Sequence, residues 1–574
     1  MGDLDTTFGI GGKVITDFSN NYDSGNSVAI QADGKIVLGG NVYKSVGNTD
    51  FALARYNTNG ELDTTFGIGG NVITDFSNNY DSGNSVAIQA DGKIVLGGSV
   101  GDNFGLARYN TNGELDTTFG IGGKVITNFS NSYDYGNSVA IQADGKIVLG
   151  GSMYGEENDR NFALARYNIN GSLDTTFGDE GKVITDFSNS YDYGNSVAIQ
   201  QNGKIVLGGY VYNSVSSYDF ALARYNTNGE LDTTFGIGGK VITDFSNNED
   251  IGFSVAIQQD GKIVFGGYVF NSVSSYDFAL ARYNTNGELD TTFGDRGKVI
   301  TVFSNNEDGG FSVAIQKDGK IVLGGVINSL GNYNFGLARY NTNGELDTTF
   351  GIEGKVITDF NNNDDIGYTV AIQEDGKIVL GGYVVNSLGN YDFALARYLP
   401  GPIIISNICF AFGTPITTDQ GNILIQNINT DYHTINNKKI ICVTKTLSMD
   451  SHLVCFEKNS LANNIPNNKT ITSRFHGIYI NDELVRANDL VNNESIHKIE
   501  YNEEILYNIL MEDHEKVSVN NMICETLHPT NYVAQLYRVM NKLDHSERER
   551  LIKEVNRLVV KNKTFALKLK IVQK

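Results

Sequence analysis

Every cysteine and histidine of this 574-residue chain lies after position 400. The cysteines are Cys409, Cys442, Cys455 and Cys524, and there are seven histidines. The preceding residues lack thiol and imidazole, the commonest nucleophilic and acid–base groups near neutral pH, so covalent chemistry is expected only in the last third. Cys409 stands in the run Asn-Ile-Cys-Phe-Ala-Phe-Gly-Thr-Pro-Ile-Thr-Thr that begins at Asn407. A thiolate there can attack the carbonyl of Ile408, immediately upstream, and exchange the peptide bond for a thioester. The exchange is uphill unless the departing nitrogen is protonated and the oxyanion is stabilised. Two later blocks carry further hydroxyl, thiol and imidazole groups. One holds Thr472, Ser473 and His476, and the other holds Cys524 and His528, with His514 shortly before it.

The opening C-F-x-x-G-T-x-I-x-T, followed in order by S-x-x-H at Ser473–His476 and by the block Val519–Pro529, resembles the Hint (Hedgehog/intein) self-processing domain, particularly versions from large DNA viruses of amoebae. The resemblance runs from Cys409 to about Asn531. It implies an all-β, horseshoe-like fold with Cys409 as first residue and a scissile bond between Ile408 and Cys409. Carried over residue by residue, His476 polarises the scissile amide and protonates the Cys409 nitrogen, and Ser473 holds the amide or the oxyanion. Thr is commoner at the Ser473 position, so the adjacent Thr472 stays open as the acting hydroxyl. Splicing inteins end in His-Asn, whereas this chain reads Ile523-Cys524-Glu525-Thr526. Splicing is therefore not expected. Hydrolysis of the thioester, or its capture by another nucleophile, is expected instead, with His514, Cys524 and His528 as candidates for the late step. Cys442 and Cys455 sit in apolar, strand-like runs and read as core. No C-x-x-C spacing supports zinc, and no cofactor or metal is expected.

The segment before this domain is a repeat array. Leu-Asp-Thr-Thr-Phe-Gly begins at Leu4, Leu62, Leu115, Leu173, Leu231, Leu289 and Leu346. Four runs rich in Val, Ile and Phe follow each copy; in the first they are Lys13–Phe18, Ser27–Gln31, Lys35–Gly40 and Phe51–Asn57. Gly, Asn and Asp bound them, which reads as strand–turn–strand. Four short antiparallel strands per repeat predict a seven-bladed β-propeller over residues 1–398. The recurring FALARYNTNGELDTTFG resembles the delta-60 repeat family, which implies a propeller-like module and no known enzymatic activity. The remaining organisation is a linker at 399–408, the Hint-like domain at 409–531 and a helical tail at 532–574. In that tail Asp544-x-x-Glu547 resembles a capping box, and Leu551, Ile552, Val555, Leu558 and Val559 form an apolar stripe.

The net charge of −22 is uneven. Residues 399–574 carry 20 Lys+Arg and 19 Asp+Glu, a net of +1, which leaves −23 for residues 1–398. An array so acidic repels nucleic acid and anionic membrane. No apolar run reaches the ~18–20 residues needed to span a bilayer, and no signal peptide is visible. The compartment stays open, with the viral resemblance pointing to host cytoplasm or virion. Asp33 and its copies read as turn residues because one copy is Asn202, and the copies of Asp17 include Asn128 and Val302, which a fixed ligand set would not tolerate. The variable connections carry Tyr22, Tyr43, Tyr133, Tyr135, Tyr154, Tyr191, Tyr193, Tyr210, Tyr212 and Tyr218 among Asn and Ser. Such a face suits recognition of a glycan or protein. Two readings result: a propeller binding module fused to a self-cleaving domain, or a non-enzymatic virion or attachment protein whose Hint fold is degenerate.

Overall fold

The computed structural model describes residues 4–400 and 409–526, apart from 19–21, 46–47, 77–79, 130–132, 156–158, 188–190, 213–216, 246–247, 271–274, 305, 330, 431, 447–451, 475, 482, 501–505, 512 and 514. It divides into two compact units, Met1–Gly401 and Pro402–Lys574. The described residues are all-β, with two short 3-10 turns in the second unit. The proposed helical tail lies outside the described residues. No helix among the described residues is long and apolar enough to cross a membrane.

The first unit is a seven-bladed propeller. Its strands begin with β1 (Lys13–Thr16), β2 (Asp23–Ile30), β3 (Ile36–Ser45), β4 (Asn48–Tyr56) and β5 (Asn71–Thr74). The first blade is the antiparallel sheet β2-β3-β4-β5. A blade is therefore three strands of one repeat plus the first strand of the next. This offsets the blades from the sequence repeats. The last blade, Asp365–Ile372, Ile378–Val385 and Tyr391–Tyr398, is completed by β1, with Val14 opposite Leu395. The strands also run further than the apolar pattern suggests. Tyr43, Tyr135, Tyr154, Tyr193, Tyr210, Tyr212 and Tyr218 lie in strand ends rather than in loops.

Two devices recur around the ring and account for the constant residues. On the innermost strands, a Ser or Thr hydroxyl oxygen of one blade accepts the N–H of a Val in the next. Ser27 takes Val86, Ser85 takes Val139, Ser138 takes Val197, Ser196 takes Val255, Ser254 takes Val313 and Ser312 takes Val370. Thr369 takes Val28 at 3.1 Å and closes the circle. Beside these bonds a bulge shifts the register between Gly25 and Ser27, and a Cβ at Gly40 would collide with the Ser24 carbonyl, so the Gly-Gly pair is a packing requirement. At the other end of each blade, the Asp of Leu-Asp-Thr-Thr-Phe-Gly is buried under an Arg. Arg108 Nε donates to Asp116 Oδ2 at 2.9 Å, its Nη1 donates to the Ile169 carbonyl of the next turn at 2.5 Å, and it stacks on Phe119 at 4.4 Å. Burial pushes the Asp116 carboxyl up, but hydrogen bonds from Thr118 and Lys93, with Arg108, outweigh it and hold it well below the usual carboxylate range. Apolar faces are buried between blades: Leu38, Ala54 and Tyr56 of the first pack with Val379, Phe393 and Leu395 of the last.

The second unit pairs Pro415–Thr418 with Gly421–Leu424, and Gly477–Ile480 with Glu483–Arg486, each hairpin followed by a 3-10 turn. Both hairpins join one six-stranded sheet through Lys516–Val519 and Met522–Glu525. Two three-stranded groups flank it. One contains Lys438–Thr446 paired with Leu506–Met511, and the other Thr470–Ser473, His452–Phe456 and Ile496–Glu500. Phe410 joins these groups: it exchanges both backbone bonds with Tyr507 at 2.8 Å and bridges Thr472. The residue just before it, Cys409, is thereby fixed at the seam.

Candidate functional site

Cys409 is fully buried against Leu453 and Leu506, with Ala411, Ile471 and Ile499 around it. Its backbone N–H donates to Ser473 Oγ at 2.8 Å, and the Ser473 N–H donates back to the Cys409 carbonyl at 2.9 Å. Both bonds follow from the strand Thr470–Ser473 lying beside residues 409–411. Ser473 is its last residue, so its side chain stands at the strand end, next to the chain as it enters the domain.

The S-x-x-H spacing is the spacing of a tight turn. The His476 N–H donates to the Ser473 carbonyl at 3.2 Å, three residues back, and the chain then enters Gly477–Ile480. This returns the His476 ring to the same side as Ser473, 4.1 Å from the Phe410 ring, centroid to centroid. The ring is fully buried, and among the described residues neither nitrogen has a partner meeting hydrogen-bond geometry. Burial drives its pKa down to about 3; the backbone groups of Cys409 and Glu525 pull the other way, and Arg486 adds to the fall. His476 is therefore a neutral imidazole at neutral pH, facing the backbone of the residue whose nitrogen would depart.

Of the two hydroxyls left open by the sequence, Ser473 is the one on the amide nitrogen. Thr472 is also fully buried, but its Oγ1 has no partner among the described residues. Cys524 belongs to the apolar core with Ile478 and Val517, where burial, then the Glu525 charge, pushes its thiol far above the ordinary range. Ile408, His514 and His528 lie outside the described residues.

The sequence reading missed Glu525 and Arg486. Glu525 is 3% exposed, and its Oε1 accepts the Gly477 N–H at 2.8 Å and Arg486 Nη1 at 3.0 Å. It thus ties the terminal block to the residue next to His476. Gly477 has no room for a side chain: a Cβ there would lie 2.5 Å from Glu525 Oε1 and 2.5 Å from Leu484 Cδ1. The available signal was the acidic residue in the terminal block where His-Asn was absent.

Elsewhere in this unit Cys455, Glu457 and His497 face one another, with Cys455 Sγ 3.4 Å from Glu457 Oε1 and His497 Nε2 3.9 Å from it. The Lys469 ammonium stands at 3.3 Å from the same oxygen, and burial, then Glu457, pushes the Cys455 thiol up to about 11. A protonated thiol beside a resident ammonium is a poor metal site.

Comparison with known families agrees with both units. Residues 31–66, 89–119, 142–177, 200–235, 258–293, 316–350 and 373–401 match the model of a β-propeller described as a domain of unknown function, DUF5122. Residues 408–531 match the Hint domain. No curated protein matches the chain. Similar solved structures include a catalytically inactive virginiamycin B lyase from Staphylococcus aureus with quinupristin, 10% identical, covering 67% of this chain and 99% of that one, with a TM-score of 0.39. Another is the polysaccharide lyase Uly1, 12% identical, covering 66% and 90%, with a TM-score of 0.38.

Proposed function

We propose that this chain, seven DUF5122 propeller blades followed by a Hint domain, is a binding module attached to a unit that cuts its own backbone between Ile408 and Cys409. The observation that carries the reading is the 2.8 Å bond from the Cys409 nitrogen to Ser473 Oγ, buried beside the His476 ring. In the first step Cys409 Sγ bonds to the Ile408 carbonyl carbon, the carbon–nitrogen bond breaks, and the thiol proton ends on the Cys409 nitrogen. His476 lies beside the Cys409 backbone, where its imidazole would polarise the scissile amide and help the proton onto the leaving nitrogen. Ser473 holds that nitrogen in register as it turns from amide to amine. Water then attacks the thioester, leaving a carboxylate on Ile408 and a free thiol on Cys409; another nucleophile can take the place of water. The test is intact mass of the full-length protein after incubation with dithiothreitol or hydroxylamine. Fragments 1–408 and 409–574 are expected. A chain that keeps its mass, as Cys409→Ala does, would sink the reading.

A second reading, an attachment protein of a virion surface with an inert Hint fold, draws on the propeller. At the bulge position of the innermost strands, Asn26, Asn84, Asn137 and Asn195 each donate to the glycine carbonyl of the next blade. The following three blades carry Phe253, Phe311 and Tyr368 there, with ring centroids 5.1 and 5.4 Å apart. An arc of aromatic rings suits the apolar face of a sugar or a protein side chain. Glycan binding by uncleaved protein, lost in Phe311→Ala, would favour this reading.

A further inference from the structure

In the third blade a guanidinium lies among aromatic rings. Arg160 opens the strand Arg160–Tyr167 and stands opposite Tyr154. Its Cζ lies 4.4 Å from the Tyr135 ring centroid and 4.8 Å from that of Tyr154, both in its own blade, and 4.3 Å from that of Tyr193 in the next. The side chain is half-buried there, and its Nε is buried with no hydrogen-bond partner among the described residues. Ring faces hold this cation. The matching position of the four later blades is tyrosine: Tyr218, Tyr276, Tyr333 and Tyr391 stand opposite Tyr212, Phe270, Asn328 and Val385. That position supplies no guanidinium in those blades, while the rings persist.

In the fifth blade Tyr268 lies 5.0 Å from Tyr276 and 5.5 Å from Phe253, centroid to centroid, and 6.2 Å from Phe311 of the sixth. Phe253 and Phe311 stand 5.1 Å apart. All four rings are half-buried, so each keeps part of its surface at the solvent. Two exposed carboxylates flank them. Tyr276 Oη donates to Glu249 Oε2 at 2.9 Å, and Tyr333 Oη donates to Glu307 Oε2 at 2.8 Å. Burial, then the charges of Glu249 and Glu307, raises the Tyr268 pKa, so both carboxylates bear on the ring at the centre of the cluster. At the positions of Glu249 and Glu307, the two blades around Arg160 carry Tyr133 and Tyr191. The fifth and sixth blades have exchanged a resident cation for two carboxylates.

We infer that Phe253, Tyr268, Tyr276 and Phe311, with Glu249 and Glu307, bind an arginine side chain of a partner protein. The inference rests on the reading of the propeller as a binding module and names the chemistry of its partner. A guanidinium can stack its face on a ring while its edge donates to a carboxylate. An ammonium is a compact, more strongly hydrated charge and is the poorer guest. The net charge of −23 over residues 1–398 draws a basic partner and turns away an acidic one. Arg160 among Tyr135, Tyr154 and Tyr193 is the same contact made within the chain.

Fluorescence anisotropy tests this, with full-length Cys409→Ala protein titrated into a labelled, capped Gly/Ser peptide that carries a single arginine. Lysine and citrulline versions of the peptide run beside it. Arginine is expected to bind ~3–10-fold more tightly than lysine, and citrulline most weakly. Added salt should weaken the binding. Phe311→Ala, and Glu249→Gln combined with Glu307→Gln, should each weaken the arginine peptide ~10-fold. Tyr276→Arg places the residue of position 160 in this cluster and should abolish binding. Tyr80→Ala, an exposed tyrosine of another blade, should leave it unchanged. The two glutamates are exposed, so the thermal midpoint of their variant should match that of the parent. No binding of the arginine peptide, or equal binding of citrulline, would overturn the inference. So would arginine binding that persists in both Phe311→Ala and the glutamine pair, since attraction to net charge would then account for it. A neutral oligosaccharide bound instead, and lost in Phe311→Ala, would overturn the inference while leaving the binding module in place.

Discussion

The backbone of Cys409 and the end of the strand at Ser473 are bonded twice, nitrogen to Oγ at 2.8 Å and carbonyl to N–H at 2.9 Å. The two bonds have different consequences. The second is strand pairing and survives any side chain. The first depends on the serine hydroxyl, which sits on the atom that would become an amine in the proposed cleavage. Ser473→Ala is expected to slow cleavage ~10²–10³-fold, and Ser473→Thr to retain most of it. Thr472→Ala should change the rate by less than about threefold, because its hydroxyl does not reach that nitrogen. Time courses of intact mass measure all three; a larger loss in Thr472→Ala than in Ser473→Ala would assign the role to the other hydroxyl.

In the proposed cleavage, the pH profile would report on His476. With its pKa driven down to about 3, the ring stays neutral across the range where an exposed histidine titrates. The first-order rate, followed from pH 5 to pH 8, is expected to show no break near pH 6.5. A break there that disappears in His476→Gln would mean that the working ring is solvated and charged.

Glu525 is expected to act by position. Glu525→Gln keeps one acceptor for Gly477 N–H but loses the charge facing Arg486, which is half-exposed, so a loss of about 1 kcal/mol in stability is expected. Gly477→Ala forces a methyl against Glu525 and Leu484, with a cost of about 1–3 kcal/mol. Denaturant unfolding of the Cys409→Ala background measures both. Equal stability in Gly477→Ala would show that the terminal strand can move away.

In the propeller, Arg108→Met strips the buried Asp116 of its main partner and is expected to cost about 3 kcal/mol. Lys93→Met removes a partly exposed partner of the same carboxylate and should cost about 1 kcal/mol or less. Reversal of that order in chemical unfolding would contradict the arrangement.

Acidity divides the propeller carboxylates into two groups. Burial, above all, pushes Asp192, Asp250 and Asp365 up to about 7 and Asp81 and Asp308 up to about 6; the backbone N–H groups they accept oppose this, and acidic neighbours reinforce it. Between the unfolded value of about 4 and these raised values the folded chain holds protons the unfolded chain has released, so stability falls as pH rises from about 4 to about 7. The Arg-paired aspartates such as Asp116 are shifted down and lose their contribution as pH falls below about 4. The unfolding midpoint is therefore expected to be highest near pH 4–5 and to decline toward pH 8. A midpoint that rises over that range would refute the assignment.

The repeat length, the turn residues and the β-branched runs made the blades legible, because each is a local requirement of chain geometry. The offset of the blades was not legible. Lys13–Thr16 pairs with Tyr391–Tyr398, and nothing local to either run states a partnership across the array. The resemblance to the Hint motif brings Cys409, Ser473 and His476 forward, and a strand and a turn set them side by side. Glu525 could not, since its role comes from a sheet that brings residue 477 beside residue 525.

The seven hydrogen bonds between innermost strands, from Ser27 to Val86 and onward to Thr369 and Val28, form a circuit in which every joint is alike. Such a circuit has no first or last member, so its joints do not depend on where the polypeptide enters the ring. A permuted chain that begins at another Asn-Gly turn, with Tyr398 linked to Leu4, would make the same joints in the same order. Severing the backbone at Ile408 likewise breaks none of them, and the liberated propeller would begin its separate existence as a finished object.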